Sequence, residues 1–260
     1  MLTITSGQLE AWMGLYLWPF FRIGACLMVA PIFGAAFVPP RMRLVIAGAL
    51  TLLVAPLLPP QPAVSPLSAE GMIITVQQVV IGVAIGFVVQ LIFDSLAMGG
   101  QLLANSMGLS FAFNVDPQRG ASTPVLGQFY MILATLVFLA LNGHLTLIEA
   151  LVEGFRQLPV GVDGLGSEGL WEVTKWGDTI FRGALVVALP GLTALLIVNL
   201  AFGVVSRAAP SLNLFAIGFP VTLICGLVIV LMGLPSVQAA FIEMMRDAFA
   251  LIGMLQRAGG

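Results

Sequence analysis

The chain has 260 residues, 59% of them hydrophobic and 8% charged, and its mean hydropathy of +1.07 excludes a soluble globular domain and indicates an integral membrane protein. Because 10 basic residues stand against 12 acidic ones, the chain lacks the basic field that nucleic-acid binding requires. A single histidine, two cysteines inside apolar runs and no phosphate-binding loop leave no catalytic, metal-binding or cofactor-binding constellation, so neither enzyme activity nor a cofactor is predicted.

Six apolar segments follow one another along the chain, each long enough to approach a bilayer crossing. They cover residues 12–38, 44–58, 71–93, 125–148, 180–205 and 212–235. Pro39 and Pro40 predict a tight hairpin after the first segment, and a proline-rich stretch at 58–68 separates the second from the third. The second segment is short and prolines interrupt three others, so six is an upper count and bent helices are expected.

Two helices that do not span the membrane are also predicted. In residues 167–176, Glu168, Glu172 and Lys175 share one face, and tryptophans are available for an interface. In residues 236–257, apolar side chains recur at helical spacing. Both helices are expected to lie against a partner or a headgroup layer. No internal repeat is found, and one compact membrane domain covering residues 1–260 is the simplest division.

Polar and small residues mark the third segment and its continuation. If the helix passes through Gly99 and Gly100, four polar residues fall within an arc of about 60°. These residues are Gln90, Asp94, Gln101 and Asn105. The stripe serves either interhelical hydrogen bonding or a polar path. Asp94 is expected to face a cavity or pair with an arginine, with Arg22 as the candidate, because an unpaired carboxylate is costly at membrane depth.

Small residues recur at four-residue spacing on the same predicted helix. Gly82 is followed by Gly86, and Gly100 by Ala104 and Gly108. Small residues at this spacing let helices approach closely in membranes. The pattern therefore predicts tight helix packing, either within the chain or with partner chains.

The most informative stretch is residues 100–127, which is polar and rich in glycine although it lies between long apolar runs. A membrane protein keeps such backbone only where protein or water satisfies its polar groups. Phe111 and Phe113 stand in this polar stretch and need a hydrophobic slot. We predict that the segment lines, plugs or hinges a path, and a re-entrant loop that only packs is the alternative.

Several sequence motifs resemble the FliR family of flagellar type III export-gate subunits. They are FFRIGACLMVAPIFG from Phe20, PPRMRLVIAGALT from Pro39, GQLLANSMGLSFAFNVDP from Gly100, TPVLGQFYMILATLVFLALNGHL from Thr123, and the R-A-x-P-x-L-N-x-F-x-I-G-F-P pattern from Arg207. The resemblance runs from end to end of the chain. Injectisome counterparts share this fold and are one alternative. A secondary transporter built around Asp94 and Arg22, or an assembly factor that lines no path, is a more distant one.

The resemblance implies an all-α membrane protein of bent helical hairpins in the flagellar basal body of a bacterial inner membrane. One copy would join FliP-like and FliQ-like subunits in a helical export gate, in contact with membrane lipid and the cytoplasmic export apparatus. Unfolded export substrates would pass through this gate. Residues from about 1 to 179 would correspond to the P-type partner and a plug loop, and residues from about 180 to 260 to the Q-type hairpin and a C-terminal helix.

The resemblance also places a plug in the loop after the third segment. Carried over onto this chain, the plug comprises Gly108, Leu109, Ser110, Phe111, Ala112, Phe113, Asn114, Val115, Asp116 and Pro117. A short apolar constriction of this kind can close a channel to ions by dewetting. Gly108 and Gly120 are the expected hinges.

Overall fold

The computed structural model describes residues 6–62, 64–109, 125–208 and 214–258. Within these ranges the chain forms α-helices and short 3-10 turns and contains no β-strand. The helices are α1 (Ser6–Val29), α2 (Pro40–Val54), α3 (Ala69–Ser106), α4 (Val125–Ala140), α5 (Gly143–Gln157), α6 (Gly166–Lys175), α7 (Thr179–Ala208) and α8 (Leu214–Ala258). The expected all-α membrane fold is confirmed, and so is the separate helix in residues 167–176, which is α6.

The described helices give fewer membrane crossings than the six apolar segments. Four are long and apolar enough to span a bilayer, and α4 with α5 makes a fifth only if this pair, bent by 65°, counts as one span. The apolar part of α1, Met13–Val29, is shorter. The four or five spans among the described residues lie within the upper count of six, and the expected bending is confirmed. The bend lies between α4 and α5 at Asn142. This residue adopts a left-handed φ of 57°, which asparagine tolerates.

The first predicted hairpin was placed too late in the chain. α1 ends at Val29 because Pro31 cannot continue the hydrogen-bond ladder, and the connection then runs to Pro39. Arg43 holds this connection, since its guanidinium donates to the carbonyl oxygens of Val38 at 3.1 Å and Ala35 at 2.7 Å. α2 begins at Pro40, where a proline loses no helical hydrogen bond.

Helices α3 and α8 are much longer than their apolar segments. With 38 and 45 residues, they extend about 57 Å and 68 Å at the usual helical rise. α8 continues through Pro235, so the C-terminal helix expected from residue 236 is its final part and not a separate element. Its apolar residues Met245, Ile252 and Leu255 are buried within the chain. The expectation that this face lies on headgroups or on a partner was therefore wrong.

The chain divides into two compact units, each assembled from separate stretches of sequence. Unit 1 comprises Met1–Leu91, Phe138–Gly177 and Met245–Gly260, and unit 2 comprises Ile92–Val137 and Asp178–Met244. The core of unit 1 is contributed by four helices and the loop after α5. It consists of Trp18, Ile23, Leu27, Ala47, Ile74, Phe155 and Val160. The end of α8 is tied to α5 in this unit, because Gln256 Nε2 donates to the Ala150 carbonyl oxygen at 2.9 Å.

Unit 2 packs aromatic rings and glycines at close range. The rings of Phe93 and Phe241 meet edge to face at 5.4 Å between centroids. A Cβ on Gly191 would lie 2.6 Å from the Leu103 side chain, so this glycine leaves room for its neighbour. In lipid no hydrophobic effect drives helices together, so their association depends on close van der Waals packing, which small residues allow.

The expected close approach of helices at Gly82 and Gly86 is confirmed within unit 1. A Cβ on Gly82 would overlap the Arg22 carbonyl oxygen, and one on Gly86 would lie 2.7 Å from the Cys26 carbonyl oxygen. Both obstacles are backbone atoms of α1, which cannot swing aside as a side chain can. The glycines therefore set the distance between α1 and α3.

Gly82→Ala is expected to destabilise the protein by about 1–3 kcal/mol, because α1 would have to move away from α3. Gly203→Ala is the matched control, since its Cβ would meet nothing within 4 Å. The control is expected to leave stability unchanged or to raise it by less than about 1 kcal/mol through helix propensity. Thermal unfolding of both variants in the same detergent measures the difference, and equal midpoints would contradict the packing argument.

Candidate functional site at the end of helix α3

The four polar residues predicted to form a stripe lie on one continuous helix. α3 passes through Gly99 and Gly100 without a break, which is the condition that the prediction set. A Cβ on Gly99 would lie 3.1 Å from the Ala184 carbonyl oxygen, and one on Gly100 would lie 2.7 Å from that of Leu126. The glycine pair therefore lets α4 and α7 approach the backbone of α3, and packing outweighs its low helix propensity.

The stripe residues lie near the surface of the described chain. Gln90, Asp94 and Gln101 are partly exposed, and Asn105 is exposed. Gln101 Nε2 donates to Asn105 Oδ1 at 2.9 Å, which joins two successive turns of the same helix. This part of the stripe thus presents a fixed amide pair. Asp94 and Gln90 make polar or charged interactions of their own.

Arg22 does not join the stripe and is instead buried in unit 1. Its Nε donates to Gln78 Oε1 at 2.7 Å, and its Nη1 donates to the carbonyl oxygens of Gly154 at 3.2 Å and Leu158 at 3.0 Å. The guanidinium also lies 4.2 Å from the centroid of the Phe155 ring. Asp94 is not among its hydrogen-bond partners, so the expected pairing with Arg22 was wrong. Arg22 serves the C-terminal end of α5, where exposed carbonyls favour a cation.

Sequence reasoning missed Gln78 as the partner of Arg22. Gln78 is fully buried in the apolar first half of α3. A glutamine inside an apolar run was the available signal, because buried polar side chains are normally paired. Its partner could not be identified from the sequence, since 56 residues separate the two.

Helix α3 ends at Ser106, two residues before Gly108, which is the first residue of the predicted plug. Gly108 has φ of 79°, a left-handed conformation that glycine adopts without strain, and its N–H donates to the Asn105 carbonyl oxygen at 3.1 Å. Gly108 and Leu109 are partly exposed. The other predicted plug residues, Ser110 to Pro117, and the second expected hinge, Gly120, lie outside the described residues.

The two helices that flank the predicted plug are in backbone contact. A Cβ on Gly100 would lie 2.8 Å from Gly127 Cα and 2.7 Å from the Leu126 carbonyl oxygen. Leu109 follows Gly100 by nine positions, so it lies on the order of 15 Å from the start of α4. The intervening residues 110–124 could bridge a far greater distance. The segment therefore has more chain than a direct connection needs.

No group of three or more His, Cys, Asp or Glu side chains that could hold a metal ion occurs in the part of the chain that the structure describes. What the arrangement offers is mechanical. A long helix with a polar stripe ends two residues before a left-handed glycine, and a close glycine contact holds the next helix beside it. The residues between these two fixed points carry the aromatic side chains that the sequence singled out.

Comparison with known proteins places this arrangement in a family. Residues 13–248 match the family described as bacterial export proteins, family 1. The flagellar biosynthetic protein FliR of Escherichia coli (strain K12) is 40% identical over 252 residues, which covers 97% of this chain and 96% of the relative. FliR of Pectobacterium carotovorum subsp. carotovorum is 36% identical over 97% of this chain and 96% of the relative. FliR of Buchnera aphidicola subsp. Acyrthosiphon pisum (strain APS) is 32% identical, with 95% of each chain covered. The chain therefore belongs to the FliR family of bacterial export proteins.

Proposed function

We propose that this chain is a structural pore subunit of a flagellar type III protein export gate in a bacterial inner membrane. It would assemble with FliP-like and FliQ-like subunits, and unfolded flagellar proteins would pass through the resulting channel. Family membership over nearly the whole chain supports the export role, and the spanning helices support residence in a membrane. The flagellar names of the relatives favour this system over an injectisome.

The proposed plug comprises residues 108–117 and closes the channel when no substrate is present. The observation that carries this assignment is the glycine contact between α3 and α4, with the left-handed Gly108 beyond it. Together they anchor both ends of a segment that has surplus length and two phenylalanines. The polar stripe formed by Gln90, Asp94, Gln101 and Asn105 would provide a hydrated face next to it.

Assembly with other subunits is supported by glycines that face open space. A Cβ on Gly203, Gly218 or Gly233 would meet nothing within 4 Å, although all three lie on the apolar helices α7 and α8. Glycines with open space at the Cβ position on membrane helices permit close contact with another helix. The same two helices also carry large exposed apolar side chains. On α7 these are Phe181, Leu185, Val186, Leu189, Leu196, Ile197, Leu200, Val204 and Val205.

The intact mass of the tagged chain tests this proposal. The chain is co-expressed with its candidate partners and extracted in mild detergent before native mass spectrometry. We expect a large complex with one copy of this chain and several copies of two other hydrophobic proteins. A monomer or homodimer under the same conditions would contradict the gate and favour a secondary transporter. Asp94 would then be the residue to mutate.

A further inference from the structure

A groove lies in unit 1 between α5 and the last turns of α8, and its volume is about 600 Å³. The two helices are tied together along it, because Gln256 Nε2 donates to the Ala150 carbonyl oxygen at 2.9 Å. Gly253 leaves space on the α8 side, since a Cβ there would approach only the Arg257 guanidinium, at 3.8 Å. The lining comes from two packed helices, so the groove is a preformed feature of unit 1.

The lining of the groove is partly apolar and partly charged. Val152 and Phe249 contribute hydrocarbon, whereas Glu149, Glu153 and Arg156 contribute charge. An acyl chain is a poor occupant, because it would remove water from these charges without pairing them. Two glutamates against one arginine leave the lining with one net negative charge, which disfavours an anionic lipid headgroup as well. A suitable occupant therefore pairs with a negative charge and also covers apolar surface.

Glu149 is the carboxylate of the groove that has no partner in the described parts of the chain. Glu153 is engaged, since it accepts hydrogen bonds from Arg156 Nη1 and Gln157 Nε2, each at 3.4 Å. Glu149 is exposed and forms neither a hydrogen bond nor an ion pair with any described residue. Gln157 Oε1 is buried and also has no hydrogen-bond partner. Both unpaired groups are acceptors, so the groove favours an occupant that donates hydrogen bonds.

We propose that this groove receives a lysine or arginine side chain of a partner polypeptide, with its cation on Glu149. The proposal rests on the proposed function, because the partner is another subunit of the export complex. The hydrocarbon stem of such a side chain would lie along Val152, and the Phe249 ring in the lining suits a nearby cation. A metal ion is a poorer occupant, since no group of three or more His, Cys, Asp or Glu side chains occurs among the described residues.

Photocrosslinking within the purified complex tests the proposal. The photoreactive amino acid p-benzoylphenylalanine replaces Thr146, an exposed residue of the groove lining, in the tagged chain co-expressed with its candidate partners. We expect an adduct to one partner peptide that contains lysine or arginine, and its yield should fall about tenfold in Glu149→Lys. The matched control is Glu243→Lys, which reverses an exposed charge on α8 outside the groove lining and should leave the yield unchanged.

A reciprocal charge exchange completes the test. The lysine or arginine of the adduct peptide is replaced by glutamate, and this change should restore part of the yield lost in Glu149→Lys. Equal yields in Glu149→Lys and Glu243→Lys, or an adduct to phospholipid alone, would overturn the proposal. If Glu149→Lys does not fold, Glu149→Gln removes the charge at almost constant size and takes its place. The intact-mass experiment separates the two proposals, because a complex that forms without a groove adduct contradicts only this one.

Discussion

Deletion of Leu109–Val115 is expected to raise the ion leakage of membranes in which the partner subunits are also present. The physical reason is that an export channel wide enough for an unfolded chain would pass ions unless an apolar constriction expels water from it. Leu109, Phe111, Ala112, Phe113 and Val115 supply the apolar side chains for such a constriction. The leak is measured as membrane conductance or as loss of the proton gradient in cells that co-express the partners.

Two controls separate a lost plug from a damaged protein. The deletion variant expressed without partners should not leak, because the pore is proposed to exist only in the assembled complex. The double variant Phe111→Ser with Phe113→Ser should leak, whereas Ser110→Ala with Asn114→Ala should not, since it leaves the apolar side chains in place. Unchanged conductance of an assembled complex that lacks Leu109–Val115 would contradict the plug.

A related experiment excludes the reading of this chain as an assembly factor only. A photoreactive group at Phe111 or Phe113 should form an adduct with an export substrate that is stalled during passage. A chain that nucleates its partners without lining the path would give no such adduct. The crosslink is independent of the conductance measurement. A leak in the deletion variant without any substrate adduct would identify a plug that lies beside the path.

The sequence predicts the helical fold well because length and hydropathy are local properties. For the number of crossings it predicts only an upper limit, because helix ends depend on particular contacts. Pro31 ends the first helix well before the apolar run ends, whereas Pro235 does not end α8. In the second case the helix persists across the proline, and residues after it are buried, among them Val237 and Phe241. Tertiary packing therefore decides which proline terminates a helix.

Part of the candidate site could be predicted for a similar reason. The stripe follows from helical periodicity once α3 is known to continue through Gly99 and Gly100. The four-residue spacing of small residues from Gly100 indicated close helix packing. Which helices they approach could not be predicted, because Gly100 meets Leu126 and Gly99 meets Ala184, both distant in sequence. Arg22 illustrates the same limit. Its charge suggested Asp94 as a partner. Its guanidinium instead donates to three acceptors, which are Gln78 Oε1 and the carbonyl oxygens of Gly154 and Leu158.

Arg22→Met is expected to cause the largest loss of stability among single substitutions considered for this chain. Replacement of a buried ion by a hydrophobic residue can be neutral when its partners are replaced as well. Here two of the partners are the carbonyls of Gly154 and Leu158, which no substitution can remove. The Leu158 carbonyl oxygen and Gln78 Oε1 would be left buried without this donor, at about 1–3 kcal/mol for each unsatisfied group, whereas the Gly154 carbonyl oxygen still accepts the Leu158 N–H at 2.9 Å. We therefore expect a total loss of about 3–5 kcal/mol.

Two further variants serve as controls for the stability loss expected in Arg22→Met. Arg22→Lys keeps the charge but replaces the planar guanidinium by a compact ammonium, which cannot serve Gln78 and both carbonyls at once, so it should recover only part of the loss. Arg182→Ala removes an arginine whose side chain is 62% exposed and whose ion pair with Asp178 spans 4.0 Å, and should change stability by less than about 0.5 kcal/mol. Thermal unfolding and folded yield in detergent measure all three variants. If Arg22→Met unfolds at the same temperature as Arg182→Ala, the guanidinium does not hold α1 and α3 to the end of α5.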